Sequence, residues 1–402
     1  MINVAVLGYG NIGSGVVQVI KTNQALVNKK TDNEIRVKYV LDLRDFPGDP
    51  NEDILVHDVN IILDDPEVDI ICETMGGVEP AYTFSKKALL AGKSVCTSNK
   101  ELVAAHGPEL IRIAAEKKVN YMFEASVGGG IPIIRPFNSS LTPEKIESVT
   151  GIVNGTTNYM LTKMAKEGAS YDEVLKEAQE KGYAEKNPTA DVEGHDACRK
   201  IAILSSLMTG KNVCYEDIYT EGITKITAED FLYANALGMS IKLFAMSKDV
   251  DGALLAMVAP FMIHDTHPLY AVNDVFNAIL VHGNTLDDAM FYGRGAGKLP
   301  TASAVVSDVM ECARNLDRHL PVYWSEEKMT MKNIEDTSKK FFVRVTKNAA
   351  ADVEKAFGKV ELIHVEQLPD EAAFITDVMT EKAYKEKAAQ VDGILGMIRV
   401  EE

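Results

Sequence analysis

The sequence predicts an α/β chain in three parts: an N-terminal doubly wound parallel sheet, an α+β middle domain, and a small tail with a ferredoxin-like order of elements. Three observations carry that reading. Strand-like and helix-like segments alternate from residue 1 to about residue 125, the pattern of repeated βα units. The alternation breaks at Gly128-Gly129-Gly130. A β-α-β-β-α-β rhythm then appears beyond residue 330.

The first strand is Ile2–Leu7. It runs into Gly8-Tyr9-Gly10-Asn11-Ile12-Gly13, a G-x-G-x-x-G loop that opens a helix over Ile12–Ile20. Gly8 serves the tight turn, Gly10 admits a pyrophosphate close to the backbone, and Gly13 lets the helix pack on the strand. Free N–H groups of Asn11 and Ile12 and the positive dipole end face the phosphates. This placement makes residues 1–128 a Rossmann-type dinucleotide-binding domain. Ile35–Leu41 and Val68–Glu73 are further strands. A helix over Pro80–Ala91 stops at Gly92, and Ser94–Thr97 and Asn120–Phe123 complete the sheet. Ligands of such sheets bind beyond the strand carboxyl ends, where Gly8–Gly13, Thr74–Gly77 and Thr97–Lys100 converge.

Residues 129–300 form the middle domain. Helices are expected over Tyr171–Lys181 and Asp196–Met208, with the polar loop Gly182–Gly194 between them. A second glycine-rich loop, Gly293–Lys298, precedes a helix over Thr301–Leu316 that returns to the first domain (301–318). In the tail, 330–402, strands are expected at Phe341–Val345, Val360–Glu366, Ala373–Met379 and Gly396–Val400, with helices at Ala350–Phe357 and Glu381–Ala389.

A formal net charge of −17 argues against nucleic acid as a partner. No stretch approaches the ~20 apolar residues of a membrane helix. Five scattered cysteines without C-x-x-C spacing read as free thiols of a reducing cytoplasm.

Asp196 and Lys200 stand at i, i+4, acid before base, on a helix face shared with Ile203, Leu204 and Leu207. As an exposed pair they would contribute only ~0.3–0.5 kcal/mol. In apolar surroundings the lysine becomes a tunable proton carrier, with desolvation lowering its pKa and Asp196 raising it. Lys100 follows a strand at its carboxyl end. Glu124 precedes a glycine-rich loop whose carbonyls suit a hard cation, and it reads equally well as a helix-capping or salt-bridged residue.

Together these segments closely resemble homoserine dehydrogenase over about residues 1–320. Ser98-Asn99-Lys100, Glu124-Ala125-Ser126-Val127-Gly128, Asn154-Gly155-Thr156-Thr157-Asn158-Tyr159, Gly182-Tyr183-Ala184-Glu185, Asp196–Lys200 and Gly293–Gly297 occur in the family's order. The resemblance implies NAD(P)-dependent interconversion of L-homoserine and L-aspartate 4-semialdehyde in threonine and methionine synthesis, by a cytoplasmic homodimer or homotetramer. It implies Lys200 as proton carrier with Asp196 and Lys100 beside the chemistry. Glu185, Asp191, Gly155 and Thr156 would hold substrate with Lys200. Gly8, Gly10, Asn11, Ile12, Gly13, Thr74, Gly76, Lys100 and Gly297 would hold the cofactor. Glu124, Val127, Gly129 and Ile131 would hold Na⁺ or K⁺.

The second strand ends Leu41-Asp42-Leu43-Arg44-Asp45. An acid there suits the ribose of NAD and an arginine the 2′-phosphate of NADP. Both are present, and Asp42 lies well beyond the usual ~20-residue offset. The tail is similar to an ACT domain but lacks the Asp-x-Pro-Gly turn, reading Thr346-Lys347-Asn348-Ala349-Ala350, so a degenerate, structural ACT-like domain is expected. Two other readings remain: a different Rossmann-fold amino-acid or semialdehyde dehydrogenase, and a non-catalytic regulator binding nucleotide and amino acid.

Overall fold

The computed structural model describes residues 1–401. Two compact units emerge. One comprises 1–145, 202–215 and 293–329, and the other 146–201, 216–292 and 330–402.

The first unit is built on six parallel strands: β1 (Ile2–Leu7), β2 (Ile35–Leu41), β3 (Leu55–Val56), β4 (Val68–Glu73), β5 (Ser94–Thr97) and β6 (Tyr121–Met122). Their order is β3-β2-β1-β4-β5-β6, so the direction of winding reverses between β1 and β4. Such a reversal opens a crevice at the strand carboxyl ends. Val4, Val6, Ile70, Cys72 and Cys96 on one face, and Ala5, Leu7, Ile71 and Val95 on the other, are fully buried, so both sheet faces are covered. The helix Asn11–Thr22 covers one face together with the returning helix Lys298–Arg314, whose Ala302, Val305, Val309 and Cys312 complete that core. A second helix not foreseen from the sequence, Gln24–Thr31, lengthens the crossover from β1 to β2. It accounts for the late position of Asp42. All five cysteines are free, and Cys72 and Cys96 are small core residues.

The second unit carries β7 (Ile146–Ile152), β8 (Tyr219–Thr220), β9 (Met239–Val250), β10 (Ala253–His264), β11 (Phe276–Gly283), β12 (Asp287–Arg294), β13 (Ser338–Thr346), β14 (Glu371–Ile375), β15 (Met379–Thr380) and β16 (Ile394–Glu401). The main path runs β12-β11-β7-β9-β10-β16-β13-β14. The tail therefore adds to the same sheet: β16 pairs parallel to β10, with Phe261 opposite Arg399. The strand expected over Val360–Glu366 is reduced to one bridge between Ile363 and Ala373. The third tail strand ends early at Ile375, and Met379–Thr380 pairs separately with β13.

Buried arginines hold the tail strands in place. Arg399 is 2% exposed and donates to both Glu381 oxygens, and its Nη1 donates to Glu221 Oε2 at 2.7 Å. Arg344 donates to Asp230 Oδ1 at 2.9 Å, Thr227 Oγ1 at 2.7 Å and Glu371 Oε2 at 3.1 Å. The planar guanidinium suits such buried pairing because its donors are fixed in a fork.

Candidate active site

The glycine loop of the first unit has the shape its sequence implies. Gly8 sits at φ +91°. A Cβ on Gly13 would lie 1.8 Å from the Gly8 carbonyl oxygen, so only glycine lets the helix start there. A Cβ on Gly10 would point into open space. The helix begins at Asn11 with no side-chain cap and no acid in its first turn. Its terminal N–H groups are thus left for an anion. Thr74 Oγ1 donates to Leu7 O at 3.0 Å and Gly8 O at 2.9 Å, which ties the β4 end to the loop. Gly76, at φ +125°, continues that rim, and Gly297, at φ +121°, immediately precedes the returning helix.

A buried carboxylate that the motifs did not single out braces the rim. Glu73, fully buried at the end of β4, accepts from Thr97 Oγ1 at 2.6 Å and Met75 N at 2.8 Å. Burial pushes its pKa up against those hydrogen bonds. Asn99 caps the helix Lys100–Lys117 and donates from Nδ2 to Gly77 O at 2.6 Å. Lys100 is the half-buried first residue of that helix.

Glu124 accepts Ile133 N–H at 2.6 Å, Ile134 N–H at 2.8 Å and Arg135 N–H at 2.8 Å. The capping alternative raised by the sequence is thus present in the structure. A carboxylate has about four acceptor sites, so one remains. In the adjoining loop Gly128 O accepts Ile131 N–H. Among the described residues no backbone donor reaches the carbonyls of Val127, Gly129 or Ile131, all three of which are buried. Three buried carbonyls without donors and a partly used carboxylate fit an oxygen-ligated cation.

Behind Glu124 lies a second carboxylate with no sequence signal. Asp308, 2% exposed, accepts Glu124 N–H at 2.9 Å and pairs with Arg135 Nη2 at 2.6 Å. Burial and the Glu124 charge push its pKa up to about 7, against the pull of Arg135. A carboxyl raised on folding stabilises fully at pH values below its unfolded pKa, and loses that contribution as pH rises toward the folded pKa. Wild-type stability should therefore decline between about pH 4 and pH 7 by an amount that Asp308→Asn removes. Urea unfolding across that range checks this; parallel slopes for the two proteins would contradict it.

In the second unit Lys200, 9% exposed, donates from Nζ to Asp196 Oδ2 and to Val153 O, both at 2.7 Å. Asn154 is the hub. Its Nδ2 donates to Asp196 Oδ2 at 2.9 Å and Asp191 Oδ1 at 2.7 Å. Its Oδ1 caps the helix Gly155–Glu167 by accepting from Thr157 N at 2.9 Å. Burial raises the Asp191 pKa, and the nearby Asp196 charge adds to that. Thr156 Oγ1 donates to Tyr183 O at 2.7 Å, fastening the Gly182–Gly194 loop beside Gly155. Glu185 is exposed on that loop, and among the described residues no hydrogen bond or ion pair joins its carboxylate to the Lys200 cluster.

A glycine-loop cradle at the strand ends, and a buried lysine paired with a carboxylate in the same chain, are the features of a nicotinamide-dependent oxidoreductase. Known proteins narrow that class. Residues 8–124 match the family model "Homoserine dehydrogenase, NAD binding domain", and residues 132–310 match "Homoserine dehydrogenase". The chain is 43% identical over 319 residues to homoserine dehydrogenase of Bacillus subtilis (78% of this chain, 73% of the relative). It is 37% identical over 364 residues to that of Helicobacter pylori (90% and 85%). A homoserine dehydrogenase structure from Thiobacillus denitrificans superposes with TM-score 0.91 at 34% identity, covering 100% of this chain and 98% of that one. A hyperthermophilic archaeal homoserine dehydrogenase in complex with NADPH gives 0.66 at 26% identity, covering 77% and 97%. The chain belongs to the homoserine dehydrogenase family. With that membership comes the NAD(P)-dependent interconversion of L-homoserine and L-aspartate 4-semialdehyde.

Proposed function

We propose that Lys200 carries the hydroxyl proton in this reaction, and that its buried pairing with Asp196 and Val153 O is the observation that supports the role. An ammonium has three N–H bonds. Asp196 and Val153 take two, leaving one for the substrate oxygen. Bound nicotinamide supplies the hydride acceptor in one direction and the donor in the other. In oxidation neutral Lys200 takes the hydroxyl proton as the carbonyl forms. In reduction its ammonium returns a proton to the developing alkoxide. One group serves both directions because each retraces the other. Asp196 fixes the lysine, and Asn154 fixes Asp196.

Glu185 and Asp191 are proposed to receive the substrate ammonium, with Gly155 and Thr156 shaping the cradle. Lys100 is proposed to meet the substrate carboxylate or alkoxide. Gly8, Gly10, Asn11, Ile12, Gly13, Thr74, Gly76 and Gly297 are proposed cofactor contacts. Glu124 with the carbonyls of Val127, Gly129 and Ile131 is proposed to hold Na⁺ or K⁺. The three-part division proposed is a cofactor domain, 1–128 with helix 301–318, a catalytic and dimerisation domain, 129–300, and a tail, 330–402. We place the enzyme in the cytoplasm, in threonine and methionine synthesis, as a homodimer or homotetramer. Absorbance of reduced nicotinamide with homoserine tests the activity; a homoserine-dependent signal is expected, and none with either cofactor overturns it.

The tail is proposed to be a degenerate ACT-like domain with a structural role. Its sheet order, β16-β13-β14 and then the Ile363 bridge, supports the likeness. The absent glycine-proline turn and the reduced strand support the degeneracy. Threonine should therefore inhibit weakly or not at all. Tight cooperative inhibition in a threonine titration would overturn this assignment.

A further inference from the structure

We infer that Asp42, with Arg44 parked against it, makes this chain read a free ribose 2′-hydroxyl and so prefer NAD(H) to NADP(H). The inference rests on the cradle described above and deepens it.

Asp42 is fixed by the backbone. The end of β2 is held to the glycine loop, with Gly8 N–H donating to Leu41 O at 2.8 Å. Tyr9 N–H then donates to Asp42 Oδ2 at 2.8 Å, and Arg44 N–H donates to Oδ1 at 3.0 Å. Turning the carboxylate away would break both bonds. Its side chain is 10% exposed, whereas that of Arg44 is 64% exposed.

Arg44 is already engaged. Nε donates to Asp42 Oδ1 at 2.9 Å and Nη2 to Oδ2 at 3.0 Å. The guanidinium also lies 5.1 Å from the Phe46 ring centroid, and Phe46 packs edge-on to Tyr9. That arginine beside Asp42 holds its carboxyl well below the usual range. The opposite groups are abundant. Residues 42–53 hold five carboxylates (Asp42, Asp45, Asp49, Glu52, Asp53) and one arginine. His57 is tied up as well, its Nδ1 2.7 Å from Asp42 O and its Nε2 3.1 Å from Asp45.

The two ribose forms meet this site differently. A ribose diol needs an acceptor, and Asp42 stays in place when an exposed guanidinium is moved aside. A 2′-phosphate instead brings a charge of roughly −1.5 to −2 against a carboxylate that cannot retreat.

Fluorescence titration of the full chain with NADH and with NADPH tests this. Wild type should bind NADH at least about tenfold more tightly, since hydrogen bonds to a charged acceptor are the stronger class. Asp42→Ala should bring the two dissociation constants within about threefold, and Asp42→Asn, which keeps the shape, should move them the same way. Arg44→Ala should leave the preference intact. Equal or tighter NADPH binding by wild type overturns the inference alone. So does a selective loss of NADPH binding in Arg44→Ala, which would assign that residue to a phosphate. Binding of neither dinucleotide would overturn the cradle along with it.

Discussion

Replacing Lys200 with alanine is expected to lower kcat for homoserine oxidation by about 10³-fold, the middle of the range for a positioned proton carrier. The loss should fall mainly on kcat, because the proposed interaction of the lysine with the substrate oxygen would strengthen as charge develops there. Lys200→Arg is the sharper variant. It keeps the positive charge beside Asp196, but a guanidinium does not release its proton at working pH. It should therefore fold like wild type and remain nearly as slow as the alanine variant. Steady-state rates for the two variants decide the matter. Activity within tenfold of wild type in Lys200→Arg would show that only charge is required.

The second large effect concerns stability. Arg399→Met leaves Glu381, 2% exposed, as a buried charge without its guanidinium, and takes the cation from Glu221, which among the described residues keeps only the Tyr219 hydroxyl. Breaking a buried pair from one side costs about 3–5 kcal/mol. The double variant Arg399→Met with Glu381→Leu removes both charges. It should recover a large part of that loss, because apolar replacements of buried pairs are often close to neutral. Urea unfolding measures both. A single variant within about 1 kcal/mol of wild type would mean that Glu381 is neutral or hydrated in the folded protein.

The first unit was legible because each of its signals is local. Ile35–Leu41, Val68–Glu73 and Ser94–Thr97 are apolar runs bounded by polar turns, and the structure gives those strands the same limits. The large sheet of the second unit was not legible. Strand β9, Met239–Val250, is rich in Met, Leu, Ala and Lys, which favour helices in isolation. Pairing with β10 and β7 overrides that preference. It also carries Lys242, which is buried because its Nζ donates to Val272 O at 2.6 Å and Asn273 Oδ1 at 2.9 Å. A buried lysine reads in sequence as a surface residue.

The candidate site divides the same way. Lys200 and Asp196 are one helical turn apart and could be paired from spacing alone. Asn154 reaches the same cluster from afar, 42 residues before Asp196 and 37 before Asp191. Asp308 meets Glu124 across 184 residues. No periodicity records such a meeting.

The position of β16 has a consequence for how the chain is made. Its partner strand β10 leaves the ribosome first, with Phe261, Met262 and Ile263 waiting for Arg399, Val400 and Glu401. At about 5–20 residues per second the wait is on the order of ten seconds. Through it the 261–263 stretch of β10 is an apolar, unpaired edge, while β8 covers only Met257 and Val258. A chain shortened before Ile394 never closes that edge. The last strand of the tail thus closes an edge made much earlier, and a chain trimmed before Ile394 is expected to aggregate more readily than the full chain, as light scattering of the two would show.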